Sequence, residues 1–253
     1  TSLNNLAGVL EARGHAAEAE PLYREALDIW CAALPPGHPD IATSLNNLAR
    51  LLYSTGRAIE AEPLYREALD IWRTALPPGH PDIAMCLSNL ADSLTATGRA
   101  TEAEPLYRKA LDVQRAALPP AHPIIAPGLT NLANLLYTTG RAAEAEPLYR
   151  EALELRRAAL PPGHPDIANS LNNLALLLDA AGCAVEAEPL YHEALDIWRA
   201  ALPPGHPNIA TNLYNLAILL WQMHRFSDSE SVFLELFRCE VLFKGEDAPA
   251  TLE

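Results

Sequence analysis

The chain repeats almost the same 42-residue string along its length. Six runs of the form L-x-N-L-A mark the copies, and they open at Leu3, Leu45, Leu87, Leu129, Leu171 and Leu213. A fixed period of this size indicates stacked copies of one supersecondary unit, because a single copy cannot bury its own apolar face. The sequence therefore predicts a single array over residues 1–253, with repeats at about 1–38, 39–80, 81–122, 123–164, 165–206 and 207–248.

Each repeat contains two helical patterns, described here in the second copy. A position in any repeat is named by the number of the equivalent residue in this second copy. The first pattern has apolar residues at the i, i+3, i+4, i+7 spacing of one helix face: Leu45, Leu48, Ala49 and Leu52. Pro39 suits a first helical position, and the carboxylate of Asp40 is favoured by the positive end of the helix dipole. Gly56 predicts the helix end, because glycine readily adopts the left-handed backbone found there.

The second pattern runs from about Ala58 to Leu76 and ends at two prolines and a glycine. Its apolar stripe consists of Ala61, Leu64, Tyr65, Ala68, Leu69 and Trp72. Pro63 falls inside this helix and removes one backbone hydrogen bond, so its recurrence in repeats 1 to 5 predicts a bend. Each unit is thus a helical hairpin, and the predicted fold class is all-α, an α-solenoid of stacked hairpins.

The small residues Ala49, Ala61 and Ala68, with Gly56 and Tyr65 among them, resemble the tetratricopeptide repeat pattern. The 42-residue unit, with its LNNLA, EAEPLY and GHPDIA strings, is similar to the kinesin-light-chain type. This resemblance covers nearly the whole chain. It implies a right-handed superhelix in which the first helices line a concave groove, and a protein-binding scaffold as the function.

Composition narrows the function classes. The net charge is −14 and the pI is about 4.9, which argues against nucleic-acid binding, since that depends on Lys and Arg. Much of the negative charge falls on second-helix positions such as Glu62, Glu67 and Asp70, where a solvated convex face is expected. The given residues contain no apolar run long enough to cross a membrane and no signal-peptide pattern, although the expected truncation at the N-terminus could have removed such a segment.

The four cysteines occupy unrelated repeat positions and form no CxxC or Cys/His ligand spacing. They are Cys31, Cys86, Cys183 and Cys239. We expect reduced thiols and a cytoplasmic protein. No Met opens the chain, and Gly245–Pro249 looks like a further linker, so we expect a fragment of a longer protein.

A histidine recurs once per repeat at positions 38, 80, 122, 164 and 206. Neighbouring copies should lie roughly 10 Å apart given helix packing distances, whereas metal ligands converge at about 2 Å on one ion. These histidines are therefore predicted to pack in the linkers. No nucleophile triad, phosphate loop or HExxH string is present, so we expect neither an enzyme nor a cofactor.

The groove positions are the informative ones. The helix face opposite Leu45, Leu48 and Leu52 runs through positions 43, 47, 50 and 54, with 46 and 53 at its edges. Position 47 is asparagine in all six repeats: Asn5, Asn47, Asn89, Asn131, Asn173 and Asn215. Its neighbours vary, and the candidate binding residues among them are Arg50, Tyr53, Asp92, Asn134, Tyr137, Leu176, Tyr214, Ile218 and Trp221.

A comparison of repeats 2 and 5 supports this choice. Residues 43–84 and 169–210 differ at ten positions, and four of these are 43, 50, 53 and 54. We hypothesise that the asparagines grip the backbone of a bound segment, since an amide both donates and accepts, while the variable neighbours recognise side chains. The alternative is that the asparagines join neighbouring helices and that exposed neighbours simply tolerate change.

Two further predictions concern the groove. Repeats 2 to 4 should hold polar ligand residues, while Leu176, Ile218, Tyr214 and Trp221 should bury an apolar anchor. The arginines that follow the first-helix glycine, such as Arg57, either attract acidic ligands or offset the negative end of the helix dipole, and we favour the second interpretation.

The predicted function is a non-enzymatic scaffold that binds a protein or peptide segment in its groove. One alternative is a regulatory module of a larger signalling protein, and another is a self-associating structural array.

Overall fold

The computed structural model describes residues 2–244, with side chains to residue 241. Thr1 and the linker-like segment Gly245–Pro249 lie outside the described residues. Every element within this part is a helix: α1 (Ser2–Ala12), α2 (Ala16–Ala33), α3 (Pro39–Ser54), α4 (Ala58–Ala75), α5 (Pro81–Ala96), α6 (Ala100–Ala117), α7 (Ile125–Thr138), α8 (Ala142–Ala159), α9 (Pro165–Ala180), α10 (Ala184–Ala201), α11 (Pro207–Gln222) and α12 (Phe226–Lys244).

The helices fall into two compact units, residues 1–120 and residues 121–253. In unit 1, α1 pairs with α2, α3 with α4 and α5 with α6, and these hairpins stack through α2 on α3 and α4 on α5. In unit 2, the hairpins α7/α8, α9/α10 and α11/α12 stack through α8 on α9 and α10 on α11. The predicted fold class of stacked helical hairpins is confirmed. A single array across both units stays a prediction.

The core lies between successive helices and is built as the periodicity predicts. Ala49, Ala61 and Ala68 are fully buried, so the methyl groups allow the helix backbones to approach closely. Tyr65 and Trp72 are each 1% exposed and fill the space between hairpins. Burying one such side chain contributes about 2 kcal/mol, so the stacked hairpins gain an apolar core that a single hairpin lacks.

The linker histidines begin the first helices. In α3, α5, α9 and α11 the histidine is the N-cap residue, and its Nδ1 accepts a hydrogen bond from the backbone N–H two residues later at 3.1–3.2 Å. Proline follows as the first helical residue, as predicted. In the fourth repeat Ile124 replaces the aspartate, and α7 begins later, at Ile125.

The first helices end at the predicted glycine. Gly56 has φ +80°, and its N–H donates to the carbonyl of Tyr53 while Arg57 N–H donates to that of Leu52. This pattern satisfies two carbonyls that the helix end leaves free. In the sixth repeat His224 takes the same left-handed conformation, with φ +59°.

Pro63 lies inside α4, which continues unbroken from Ala58 to Ala75. The same arrangement recurs in α2, α6, α8 and α10. The predicted bend at these prolines stays a prediction.

Candidate functional site

The asparagines at position 47 lie on the first helices, away from the core. Asn5 is exposed, and Asn47, Asn89, Asn131, Asn173 and Asn215 are part-exposed. The hydrogen bonding of these side chains differs along the chain. Asn89 Nδ2 donates to Asn46 Oδ1 at 3.1 Å, which is the contact between neighbouring helices that the alternative hypothesis predicted.

Three other position-47 asparagines differ from Asn89 in the part of the chain that the structure describes. Within the described residues, the amides of Asn47, Asn173 and Asn215 make no hydrogen bond. Contacts between neighbouring first helices are made instead by positions 44 and 46: Asn4 donates to Ser44 at 3.0 Å, and Asn212 donates to Asn172 at 3.3 Å. The structure thus leaves amide donors and acceptors available in both units.

Arg50 is already paired. Its guanidinium donates to both carboxylate oxygens of Glu11, at 2.7 and 2.9 Å. Glu11 occupies position 53 of the first repeat, and its side chain is only 13% exposed, against 48% for Arg50. Tyr23 hydroxyl also donates to Glu11, at 3.0 Å. An acidic ligand residue would therefore compete with Glu11 for Arg50.

In repeats 3 and 4, position 50 contacts the buried tyrosine at position 65, a partner that the sequence did not suggest. Tyr107 hydroxyl donates to Asp92, and Tyr149 hydroxyl donates to Asn134. Burial raises the pKa of Asp92, and the hydrogen bond from Tyr107 partly offsets that rise. The sequence did contain one signal for this contact, because tyrosine recurs fifteen residues after the variable position.

In the fifth repeat this contact is lost. Leu176 stands at position 50, and the hydroxyl of fully buried Tyr191 has no hydrogen-bond partner among the described residues. Burial, followed by the nearby charge of Asp179 and the Tyr137 hydroxyl, raises the pKa of Tyr191. The Leu176 substitution thus leaves one buried polar group unsatisfied, at a cost of about 1–3 kcal/mol.

Aromatic side chains at positions 46 and 53 are the most exposed apolar groups of the groove. Tyr53 is 36% exposed, Tyr214 53% and Trp221 58%. The Trp221 ring meets Phe226 edge-on, with centroids 4.8 Å apart. More than half of the Trp221 side chain stays accessible beside this contact.

The arginines after the first-helix glycine are held by carboxylates. Arg57 donates to Glu60 in the first turn of its own second helix and to Glu20 of the preceding repeat, at 2.6–2.7 Å. Arg99 makes the equivalent contacts with Glu102 and Glu62. In both cases one guanidinium joins two consecutive hairpins. The dipole interpretation of these arginines stays a prediction.

The expectation of a solvated convex face was wrong for Glu62. Its side chain is 15% exposed and lies between Arg66 and Arg99, whereas Asp70 is 79% exposed. Glu62 varies little because it bridges two repeats. Its constancy therefore gives no measure of how freely exposed positions change.

Within residues 2–244, no three His, Cys, Asp or Glu side chains are placed to hold one metal ion. The four cysteines are free thiols, and burial raises the pKa of Cys86 to about 12. None of the described helices combines the length and apolar character that crossing a bilayer requires.

A family model for the tetratricopeptide repeat matches residues 1–74, 40–116, 82–158, 124–182 and 166–238. The chain belongs to the tetratricopeptide repeat family. Tetratricopeptide repeats generally mediate protein–protein interactions. A comparison with curated proteins found no match.

Several solved structures share the fold. BtubC (BKLC) from P. vanneervenii has a TM-score of 0.77 at 22% identity, over 94% of each chain. A kinesin light chain protein from Podosopora anserina with nearly identical TPR-like repeats has a TM-score of 0.71 at 23% identity, over 83% of this chain and 99% of that one. A Rap protein in complex with competence and sporulation factor has a TM-score of 0.66 at 14% identity, over 97% and 76%. The predicted likeness to kinesin-light-chain repeats is confirmed.

Proposed function

We propose that the chain is a non-enzymatic scaffold whose first-helix groove holds an extended segment of a partner protein. The observation that carries this proposal is a pair of amides on neighbouring helices of unit 2 that make no hydrogen bond within the described residues, Asn173 on α9 and Asn215 on α11. A peptide backbone presents an N–H and a carbonyl at each residue, and a carboxamide matches both. Such contacts hold a segment without selecting its sequence.

The surroundings of these amides fit the same role. Tyr214 and Trp221 lie on α11 with more than half of their surface exposed, and large aromatic side chains often dominate interface energies. The Rap protein, similar in fold, was crystallised with competence and sporulation factor, which is consistent with a binding role for such an array. The regulatory module and the self-associating array stay predictions.

The test is a binding measurement on the double variant Asn173→Ala/Asn215→Ala. The probe is a fluorescent positional-scanning library of N-acetylated, C-amidated nonapeptides. Two hydrogen bonds of about 1 kcal/mol each predict a weakening of roughly 30-fold for every library member that binds. Asn208→Ala, in the first turn of α11 and outside the groove positions, is the matched control. Unchanged affinity in a double variant with native helical circular dichroism contradicts the proposal.

A further inference from the structure

The first two hairpins of unit 1 form a charged cluster around the residue at position 53 of the first repeat, Glu11. The Glu11 carboxylate accepts hydrogen bonds from Tyr23, at position 65, and from Arg50, which reaches across from the next first helix. The guanidinium binds both carboxylate oxygens, which is the strongest geometry for this kind of pair. The groove carboxylate of Glu11 is therefore neutralised by an arginine of the same chain.

The fifth repeat retains two of these three groups. Asp179 stands at position 53 and Tyr191 at position 65, while position 50 of the next first helix is Ile218 instead of arginine. Asp179 is the only charged residue at the groove positions of α7, α9 and α11. Its carboxylate makes no hydrogen bond or ion pair within the described residues. The chain therefore supplies the anion but not the cation.

Two further observations mark this place as incomplete. The buried Tyr191 hydroxyl has no hydrogen-bond partner in the part of the chain that the structure describes, whereas the equivalent Tyr23 hydroxyl is bonded in the complete cluster. Burial raises the pKa of Asp179, which means that its half-buried charge is poorly solvated and lacks compensation. A cation placed beside Asp179 would offset that cost.

The neighbours of Asp179 suit a guanidinium in particular. Position 53 of the flanking first helices is Tyr137 on α7 and Trp221 on α11, and α9 contacts α11 directly. Arginine combines bidentate binding of carboxylate with stacking on aromatic faces, and the indole is the best such face. Lysine offers only a point charge.

We propose that Asp179 is an arginine-binding subsite of the groove, at which an arginine of the bound partner takes the place that Arg50 fills beside Glu11. This proposal rests on the proposed function for its ligand, a segment of a partner protein. The bound segment would then be basic, which complements the net negative charge of the chain. Trp221, at the same repeat position on the contacting helix α11, is the aromatic side chain proposed to stack on that guanidinium.

A small probe tests the subsite separately from peptide binding. N-acetyl-arginine-N-methylamide and its neutral isostere, N-acetyl-citrulline-N-methylamide, are titrated while the indole N–H signal of Trp221 is followed by NMR and assigned with Trp221→Phe. The arginine probe should bind about tenfold more tightly than the citrulline probe, because charge-assisted hydrogen bonds to a carboxylate are stronger than neutral ones.

Three variants decide the assignment. Asp179→Asn removes the charge with little change of shape, and Ile218→Arg supplies an internal cation like Arg50; both should abolish the preference for arginine. Asp196→Asn makes the same charge change on exposed α10, where the side chain is 77% exposed, and should leave the preference intact. Equal binding of the two probes, or a preference that survives Asp179→Asn, overturns the proposal.

The peptide library separates this proposal from the proposed function. If Asp179 is the subsite and the groove binds segments, library members with one fixed arginine should be selected, and replacing that arginine by citrulline should cost about tenfold. If no library member binds while the arginine probe still shifts the Trp221 signal, the subsite stands and the groove proposal fails. If peptides bind with no arginine preference, the groove proposal stands and the subsite fails.

Discussion

Three equivalent tyrosines provide a test of how position 50 acts. Tyr107, Tyr149 and Tyr191 occupy position 65 of consecutive repeats and are all at most 4% exposed. Their hydroxyl groups differ in one respect. The hydroxyl of Tyr107 donates to a carboxylate and that of Tyr149 to an amide, while that of Tyr191 has no partner among residues 2–241. Replacing each tyrosine by phenylalanine removes the same atom from three different hydrogen-bonding states.

The expected effects on the free energy of unfolding follow from those states. A hydrogen bond to a charged group is worth about 1.5–3 kcal/mol, so Tyr107→Phe should cost about 2 kcal/mol. A neutral bond is worth about 1 kcal/mol, and Tyr149→Phe should cost that amount because exposed Asn134 can turn to water. Tyr191→Phe removes an unsatisfied buried group and should stabilise the protein by about 1 kcal/mol.

The measurement is urea unfolding followed by helical circular dichroism and fitted with a nearest-neighbour repeat model, because repeat arrays depart from two-state behaviour. The decisive quantity is the sign of the Tyr191→Phe effect relative to the other two. Equal losses in all three variants would refute the reasoning, since the hydroxyl would then contribute only by filling space.

The remaining predictions concern the hairpin ends and the bridging arginines. His224→Gly should stabilise unit 2 by about 1 kcal/mol in thermal melts, because a side chain is strained at positive φ, and His224→Ala should give no such gain. Cys183→Arg places a cation where the other bridging arginines lie and should raise the melting temperature, with a gain that shrinks in 1 M salt. Hydrogen bonding from Arg57 lowers the pKa of Glu60, so the stability of this pair is present above the ordinary carboxyl pKa and is lost as pH falls through the lowered value. Arg57→Ala should accordingly lower the urea midpoint at neutral pH and match the wild type once the carboxyl groups are protonated.

The sequence sufficed for the fold because each helix has its own local signals. Apolar spacing placed both helices of the hairpin, and Pro39 and Gly56 gave the ends of α3 as the structure shows them. The histidine was assigned to the linker, but its role as N-cap was not foreseen, since an imidazole acceptor at that position is uncommon.

The site could be predicted only in outline. Position 50 was identified as variable, and variation was interpreted as exposure to a ligand. The structure shows that Arg50, Asp92 and Asn134 contact groups of the protein itself. Such contacts join residues 15 or 39 positions apart. One sequence cannot reveal them, because a tyrosine hydroxyl or a guanidinium can form hydrogen bonds with many different groups. Which groove residues bind a ligand stays a prediction.

The bridging arginines have a consequence for how such a gene can change. Arg99 joins Glu102 of its own repeat to Glu62 of the preceding one, and repeat 2 carries an arginine and both glutamates at the same three positions. Unequal recombination that adds or deletes a whole 42-residue unit therefore recreates the junction on either side without any compensating mutation. Copy number can drift while the junctions stay intact, and substitutions can then accumulate one repeat at a time.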